Sequence, residues 1–229
     1  MSRRARRLAA VATALFVSPL ALVALSTSAG AGQPPGYGPS DPFDDSLQPD
    51  DGPMEPMRDK AKVVRTQYGY RFTAAQQDTH LSMSVTDGRL RFRDTNTPRW
   101  KSLPRACSNQ RVSPGVAATC RIPAADDHVL LEVHPRLGDD YVDGRGLPAT
   151  FEMAVLGDAG RDVMFGGRGK DFLNGAQEGD RASGGGGKDW IRGGSARDRL
   201  RGGAASDWIV GMKGRDVIIG GGGRDRTFQ

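Results

Sequence analysis

The sequence predicts an all-β protein in which a small β domain precedes a solenoid of nine-residue repeats. Glycines recur at intervals of nine from Gly157 to Gly220, a period that is typical of stacked repeat architectures. Upstream, apolar residues alternate on either side of Asp87-Gly88, which is a strong signal for a β-hairpin. Residues 61–135 show no convincing helical periodicity, so strands are expected there as well, with residues 63–72 and residues 129–133 interpreted as one strand each.

Each repeat carries an aspartate five residues after its first glycine. These aspartates are Asp162, Asp171, Asp180, Asp189, Asp198, Asp207, Asp216 and Asp225. Two positions later the residue is large and apolar in six repeats, at Met164, Leu173, Ile191, Leu200, Ile209 and Ile218. We therefore expect each repeat to form a Gly-rich turn, in which glycine tolerates a positive φ, and then a short strand whose middle side chain points inward.

The repeat GGxGxDxUx resembles the RTX (hemolysin-type) calcium-binding repeat of secreted bacterial proteins. The resemblance implies a C-terminal parallel β-roll over residues 136–229, in which two nonapeptides form one coil and turns of the same parity stack on the same edge. It also implies Ca2+ as the cofactor. Calcium takes about six to eight oxygen ligands, more than one turn can supply, so each ion is expected between two stacked turns.

The turns fall on two edges of the predicted roll. The turns of edge I begin at Gly166, Gly184, Gly202 and Gly220 and keep the glycine pair, whereas those of edge II begin at Gly157, Gly175, Gly193 and Gly211 and keep it only once. We predict the best calcium sites on edge I, between successive aspartates from Asp171 to Asp225, and weaker sites on edge II. The candidate metal ligands are Gly166, Arg168, Asp171, Gly184, Gly186, Asp189, Gly202, Ala204, Asp207, Gly220, Gly222, Asp225, Asp162, Asp180, Asp198, Asp216 and, upstream, Asp140.

A basic residue precedes the aspartate in six of the eight repeats. These residues are Arg161, Lys170, Lys188, Arg197, Arg215 and Arg224. Relatives often have Asn or Asp there, and their arrays are commonly acidic, whereas residues 157–229 of this chain carry a net charge of +3. Positive charge beside each site opposes calcium, although the effect is modest where the side chain extends into solvent.

Edge I also carries an aromatic residue directly after each of three aspartates. Phe172, Trp190 and Trp208 recur in every second repeat and would form a ladder on the outer face of the roll. The ladder has two interpretations, a stacked stripe that stiffens the solenoid or a binding surface for a sugar or a partner.

Residues 1–31 have the features of a cleavable signal peptide. Four arginines precede an apolar run that ends at Leu25, and small residues follow up to Ala31. The alternative is a membrane anchor, but Pro19 interrupts the run, so we expect cleavage, secretion and no stable membrane insertion afterwards. Residues 32–60 are rich in Pro, Gly and Asp and are expected to form a disordered linker.

Residues 61–135 are predicted to be a small β domain with a Cys107–Cys120 disulfide. These are the only cysteines, and they have no third ligand or adjacent histidine that would favour a metal or nucleophile role. Residues 137–144 look like one more turn and strand. Asp140 would stay in register if a short insertion near Leu147-Pro148 absorbs the extra length.

The sequence favours a secreted, non-enzymatic calcium-binding protein. One alternative is an enzyme whose catalytic module is residues 61–155, but HExxH and GxSxG motifs are absent and His80, His128 and His134 are scattered. Asp126, Asp127 and Glu132 could contribute acid or base groups, although their spacing does not require it.

A second alternative is a polyanion-binding protein, because IRGG, LRGG and GGRG resemble Arg-Gly tracts. Such tracts need no aspartate every ninth residue. Loss of the four leader arginines would also lower the net charge from +5 to +1. Calcium ions are therefore the expected partners, no nucleic acid is expected, and a cell-surface or protein partner is not specified.

Overall fold

The computed structural model describes residues 57, 59–74, 77–124 and 128–229. All the regular elements in these ranges are β-strands. Within the same ranges no helix has the length and hydropathy needed to span a membrane. The predicted signal peptide, almost all of the predicted linker, and Asp126-Asp127 lie outside the described residues.

The described residues form eighteen strands. They are β1 (Lys60–Arg65), β2 (Gly69–Thr73), β3 (His80–Thr86), β4 (Arg89–Asp94), β5 (Arg99–Ser102), β6 (Cys107–Gln110), β7 (Val116–Arg121), β8 (Val129–His134), β9 (Tyr141–Gly146), β10 (Phe151–Leu156), β11 (Val163–Phe165), β12 (Phe172–Ala176), β13 (Arg181–Gly185), β14 (Trp190–Ser195), β15 (Arg199–Gly203), β16 (Trp208–Lys213), β17 (Val217–Gly221) and β18 (Arg226–Phe228). These strands make two nine-stranded sheets that face each other. Sheet I has the order β18-β16-β14-β12-β10-β8-β2-β1-β5, and sheet II has the order β17-β15-β13-β11-β9-β3-β4-β7-β6.

Successive repeats alternate between the two sheets, so the chain winds as a parallel β-roll. In sheet I, Phe172 pairs with Trp190 and Trp190 with Trp208, each step covering two repeats. In sheet II, Arg181 pairs with Arg199 in the same register. The predicted coil of two nonapeptides is therefore confirmed.

The first coil contains the predicted insertion. Tyr141 pairs with Val163, a longer step along the chain than the two nonapeptides of a regular coil. The extra residues form a compact loop in which the Leu147 N–H donates to the Gly144 carbonyl and the Phe151 N–H donates to the Pro148 carbonyl. The coil therefore returns to register before β10.

The core is a continuous strip between the two sheets. Inward residues stack along sheet II at Val142, Met164, Ala182 and Leu200, and along sheet I at Val133, Val155, Leu173, Ile191 and Ile209. Within the repeats, these positions are those predicted from the nine-residue pattern. The same cluster extends upstream through Leu131, Phe92 and Phe72 to Ala61.

The N-terminal strands continue the two sheets of the roll. β2 pairs in parallel with β8, and β3 pairs in parallel with β9. Strands β3 and β4 form the predicted hairpin around Asp87-Gly88, where both residues have positive φ. The sheets thus run across the predicted boundary at residue 135, and the division into two domains stays a prediction.

Two further predictions concern residues 61–135. The disulfide is confirmed, and Cys107 lies directly opposite Cys120 on the neighbouring strands β6 and β7. The interpretation of residues 63–72 as one strand is wrong, because β1 and β2 are antiparallel and separated by a turn. That turn is held by the Gly69 N–H, which donates to Thr66 Oγ1.

We predict that Ile191→Ala lowers the free energy of unfolding of the calcium-saturated protein by about 2–5 kcal/mol, because Ile191 is fully buried and its loss leaves a cavity. Ile219→Ala is the matched control. Ile219 is 53% exposed, so its truncation should change the free energy by less than about 0.5 kcal/mol. Urea denaturation followed by circular dichroism measures both, and equal losses would contradict the assigned core.

Candidate metal centre

The repeat aspartates lie where each turn ends and the next strand begins. Asp171 precedes β12 and Asp189 precedes β14, and both side chains are almost completely buried. The buried set comprises Asp140, Asp162, Asp171, Asp180, Asp189, Asp198 and Asp207, whereas Asp216 and Asp225 in the last coil are partly exposed. Carboxylates are rarely buried without partners, so each of these side chains needs hydrogen-bond donors or a counter-charge.

One oxygen of each carboxylate joins its coil to the coil before it. On edge I, the Asp171 N–H donates to Asp189 Oδ1 at 2.9 Å and the Asp189 N–H donates to Asp207 Oδ1 at 3.0 Å. Edge II repeats the contact from Asp162 to Asp180 and from Asp180 to Asp198, each at 2.8 Å. The upstream Asp140 extends this series of contacts, because its N–H donates to Asp162 Oδ1. We call the series the aspartate ladder.

The second carboxylate oxygen is buried without a hydrogen-bond partner in seven of these residues. They are Asp140, Asp162, Asp180, Asp189, Asp198, Asp207 and Asp216. Asp171 differs, because its Oδ2 accepts a hydrogen bond from the Gly167 N–H at 2.7 Å. A buried anionic oxygen without a donor is costly, and a bound cation is one way to satisfy it.

Within the repeats, the unpartnered oxygens lie against the first glycine of their own turn. A Cβ atom added to Gly184 would lie 2.1 Å from Asp189 Oδ2, and one added to Gly202 would lie 2.2 Å from Asp207 Oδ2. Glycine is therefore required at these positions for steric reasons. The carboxylate oxygen packs directly against the glycine backbone, a contact that any side chain at this position would block.

Side chains alone do not complete a metal site. Among the residues that the structure describes, no group of three or more His, Cys, Asp or Glu side chains is placed to hold a metal ion. Backbone carbonyls would have to supply most ligands. In three turns of edge I, the N–H group of the third residue donates a hydrogen bond to a carbonyl of the preceding coil. These third residues are Gly186, Ala204 and Gly222, and their own carbonyls do not form the bonds that join the coils.

Burial raises the pKa of the repeat carboxyl groups. The largest effect is on Asp189, where burial and then the neighbouring Asp171 carboxylate raise the pKa to about 9. Burial raises the pKa of Asp171 and Asp180 to about 8 and that of Asp198 and Asp207 to about 6. Burial likewise raises the pKa of Asp140 and Asp162 to about 7. At neutral pH and without a cation, the ladder is therefore partly protonated.

The two edges differ in backbone strain. Edge I places glycine at its positive-φ positions with one exception, Ala205 at 73°. Edge II forces five non-glycine residues into this region, namely Asp158, Ala176, Glu178, Ala196 and Met212. A non-glycine residue in this region costs about 1 kcal/mol or more. This strain is a physical reason to expect the better calcium sites on edge I, and that expectation stays a prediction.

The basic residues before the aspartates mostly extend into solvent. Arg161, Lys188, Arg197, Arg215 and Arg224 are exposed, and Lys170 is half-buried. Arg161 also forms an ion pair with Asp139 at 2.6 Å. Solvent and counter-ions screen exposed charges, so the repulsion of a cation by these residues is modest.

The predicted aromatic ladder is present on the outer face of sheet I. The Phe172 and Trp190 rings are 4.8 Å apart, and Trp208 contacts Phe228 one coil further on at 5.3 Å. Phe172 and Trp190 are nevertheless buried in a cluster with Leu130 and Ala154. This packing favours the stiffening interpretation over a binding surface.

The structure separates the groups that were considered for catalysis. His80 lies in sheet II and stacks on Tyr141, whereas His128 and His134 lie at opposite ends of β8 in sheet I. His128 contacts Glu152 at 3.5 Å, and Glu132 pairs with Arg71. Sequence reasoning missed Asp94, a fully buried carboxylate whose Oδ1 accepts hydrogen bonds from the N–H groups of His80 and Asn96. Asp94 lies outside the repeats, as the last residue of the second hairpin strand, and no sequence motif marks it.

Comparison with known proteins identifies the repeats. The family model for the RTX calcium-binding nonapeptide repeat (4 copies) matches residues 155–181, 175–207 and 201–228. No curated protein and no solved structure matches the chain. The matched segments coincide with the part of the roll in which the aspartate ladder is regular.

We predict that the calcium-free protein loses stability as the pH rises from about 5 to 9. The pKa of Asp180 and Asp189 in the folded state lies well above the ordinary value of 3.8, so the folded protein retains protons that the unfolded chain releases. Thermal unfolding of metal-free protein across this range measures the effect. Saturating calcium should weaken or reverse it by favouring the ionised form, and a calcium-free protein that gains stability toward pH 9 would contradict the assignment.

Proposed function

Because residues 155–228 of this chain are RTX calcium-binding nonapeptide repeats, we propose that the protein is a secreted, non-enzymatic calcium-binding protein whose β-roll is completed by the ion. Calcium would lie between stacked turns and would order the roll outside the cell. The leader-like N-terminus and the disulfide support export, because disulfides persist in oxidising compartments.

The observation that carries this proposal is the column of buried carboxylate oxygens without hydrogen-bond donors. They recur along the turns of both edges, and those of the repeats each pack against the first glycine of their turn, where a side chain would collide with the carboxylate. A neutral amide of the same size would be cheaper to bury there than a carboxylate if the column served packing alone. The chemistry of the position therefore fits a hard cation with oxygen ligands.

Each repeat aspartate of edge I uses its two carboxylate oxygens differently. The Oδ1 atom of Asp189 holds two coils together, and its Oδ2 atom lies against Gly184. Asp207 does the same one coil later with Gly202. A bound calcium ion would supply the positive charge that these buried carboxylates lack. Because calcium would bind the folded protein and not the unfolded chain, it would stabilise the folded state by mass action.

We predict that the β-strand signal of the mature protein grows during a calcium titration and saturates. The calcium-free roll contains repelling or protonated carboxylates, so it should be less ordered and regain structure only when the ion binds. Far-UV circular dichroism measures the change. Magnesium is the matched control, because it requires tighter octahedral geometry and dehydrates reluctantly. A spectrum that is identical in calcium and in chelator would refute the proposal.

We predict that Asp189→Asn lowers the number of bound calcium ions and the calcium-dependent gain in stability. The substitution retains the size of the side chain and one carbonyl oxygen but removes the negative charge. Asp158→Asn is the matched control, since Asp158 is an aspartate of the array outside the nine-residue register and Asn tolerates its positive φ of 73°. Isothermal titration calorimetry gives the number of bound ions, and thermal unfolding with and without calcium gives the gain in stability. Full calcium uptake by Asp189→Asn would count against the assigned site.

A further inference from the structure

A basic surface lies at the end of sheet II that is farthest from the repeats. Strand β4 alternates, so Leu90 and Phe92 are buried in the core while Arg89, Arg91 and Arg93 lie on the outer face. On β7, Arg121 is directly opposite Arg89. Like charges placed opposite each other in neighbouring strands destabilise a sheet, so these arginines do not serve the pairing of β4 with β7.

A cavity of about 250 Å³ opens on this surface. Its lining includes three arginines together with hydroxyl and amide groups, contributed by Thr86, Arg89, Arg91, Gln110, Arg111 and Thr119. Asp87 is the one acidic residue of the lining, so the lining has an excess of positive charge. No ion pair of the described residues includes Arg89, Arg91 or Arg111.

Arg91 provides a second, independent indication of a ligand. Its Nε is buried and has no hydrogen-bond partner. A buried guanidinium donor without an acceptor costs free energy, and a shift of the flexible Arg91 side chain toward an oxyanion in the adjacent cavity would satisfy it. Arginine suits this task because its planar fork of donors matches the oxygens of carboxylate, sulfate and phosphate groups.

We propose that this cavity binds an oxyanion group of an acidic polysaccharide, a sulfate or a carboxylate carried on a sugar. Arg91 and Arg111 bind the anionic group, and Thr86 and Gln110 lie where hydroxyl groups of the sugar ring can be hydrogen-bonded. The cavity is smaller than the sites of about 300–1,000 Å³ that enclose drug-sized ligands, so it holds one charged sugar unit of a longer chain.

The lining disfavours single-stranded nucleic acid as the ligand. It contains no aromatic side chain, whereas proteins that bind single strands stack bases on aromatic rings. Two strands, β3 and β9, separate β4 from the first repeat strand β11 in sheet II. Binding in the cavity is therefore independent of the aspartate ladder, and its test does not depend on the proposed calcium function.

The test is calorimetric titration of the protein with heparin, used as a sulfated-polysaccharide probe, at about 0.15 M salt, performed once with calcium and once with chelator. The double variant Arg91→Gln and Arg111→Gln should bind at least 10-fold more weakly than the parent protein. The matched control is Arg181→Gln with Arg199→Gln, a pair of exposed arginines that are also direct neighbours on the outer face of sheet II. The control pair should change the affinity less than twofold.

Three outcomes would overturn the proposal. Equal losses in the two double variants would show general adsorption to positive charge. A single-stranded oligonucleotide of matched charge that binds as tightly as heparin would identify a different class of ligand. Inorganic sulfate that binds as tightly as the polymer would show that the sugar is not recognised. Arg111→Gln alone, at an exposed position, repeats the comparison if the double variant does not fold.

Discussion

The hydrogen bond between each repeat aspartate and the backbone of the preceding coil is the interaction on which the roll depends. It requires the N–H of one aspartate and the carboxylate of the aspartate two repeats later to meet, as those of Asp171 and Asp189 do. The turn can bring them together only where its first residue lacks a Cβ, as at Gly184. The nine-residue period is thus the spacing that this contact demands in two alternating sheets.

The same contact creates an electrostatic problem inside the roll. In most of these aspartates the backbone satisfies only one carboxylate oxygen, and the other stays buried beside carboxylates of neighbouring coils. Burial and these neighbours raise the pKa of Asp189 to about 9, so its charge is unfavourable without a counter-charge. A proton or a cation can relieve this cost, and only a cation allows the ladder to stay ionised at neutral pH. The carboxylates that join the coils are therefore also the groups whose charge needs compensation.

The N-terminal strands cover the sheet edges that the first coil would otherwise expose. A parallel roll ends in strands with unpaired backbone groups, which invite association with other chains. Strands β2 and β3 pair with β8 and β9, and the apolar core runs on into Phe72 and Phe92. This cap also supplies the outer face of β4, whose arginines take no part in the aspartate ladder. One part of the chain thus protects the roll and presents a separate chemical surface.

The sequence by itself determined the features that depend on local periodicity. The glycine and aspartate spacing predicted the pairing of Trp190 with Trp208 in register and the inward position of Ile191, because both follow from the repeat length. The alternation on either side of Asp87-Gly88 predicted the hairpin, because it follows from turn chemistry. Only the tertiary structure decided the features that depend on distant residues. The pairing of β2 with β8, the burial of Asp94, and the meeting of Arg91 with Arg111 in one cavity join segments with no shared pattern. Such contacts arise from how sheets stack and close, which local periodicity does not encode.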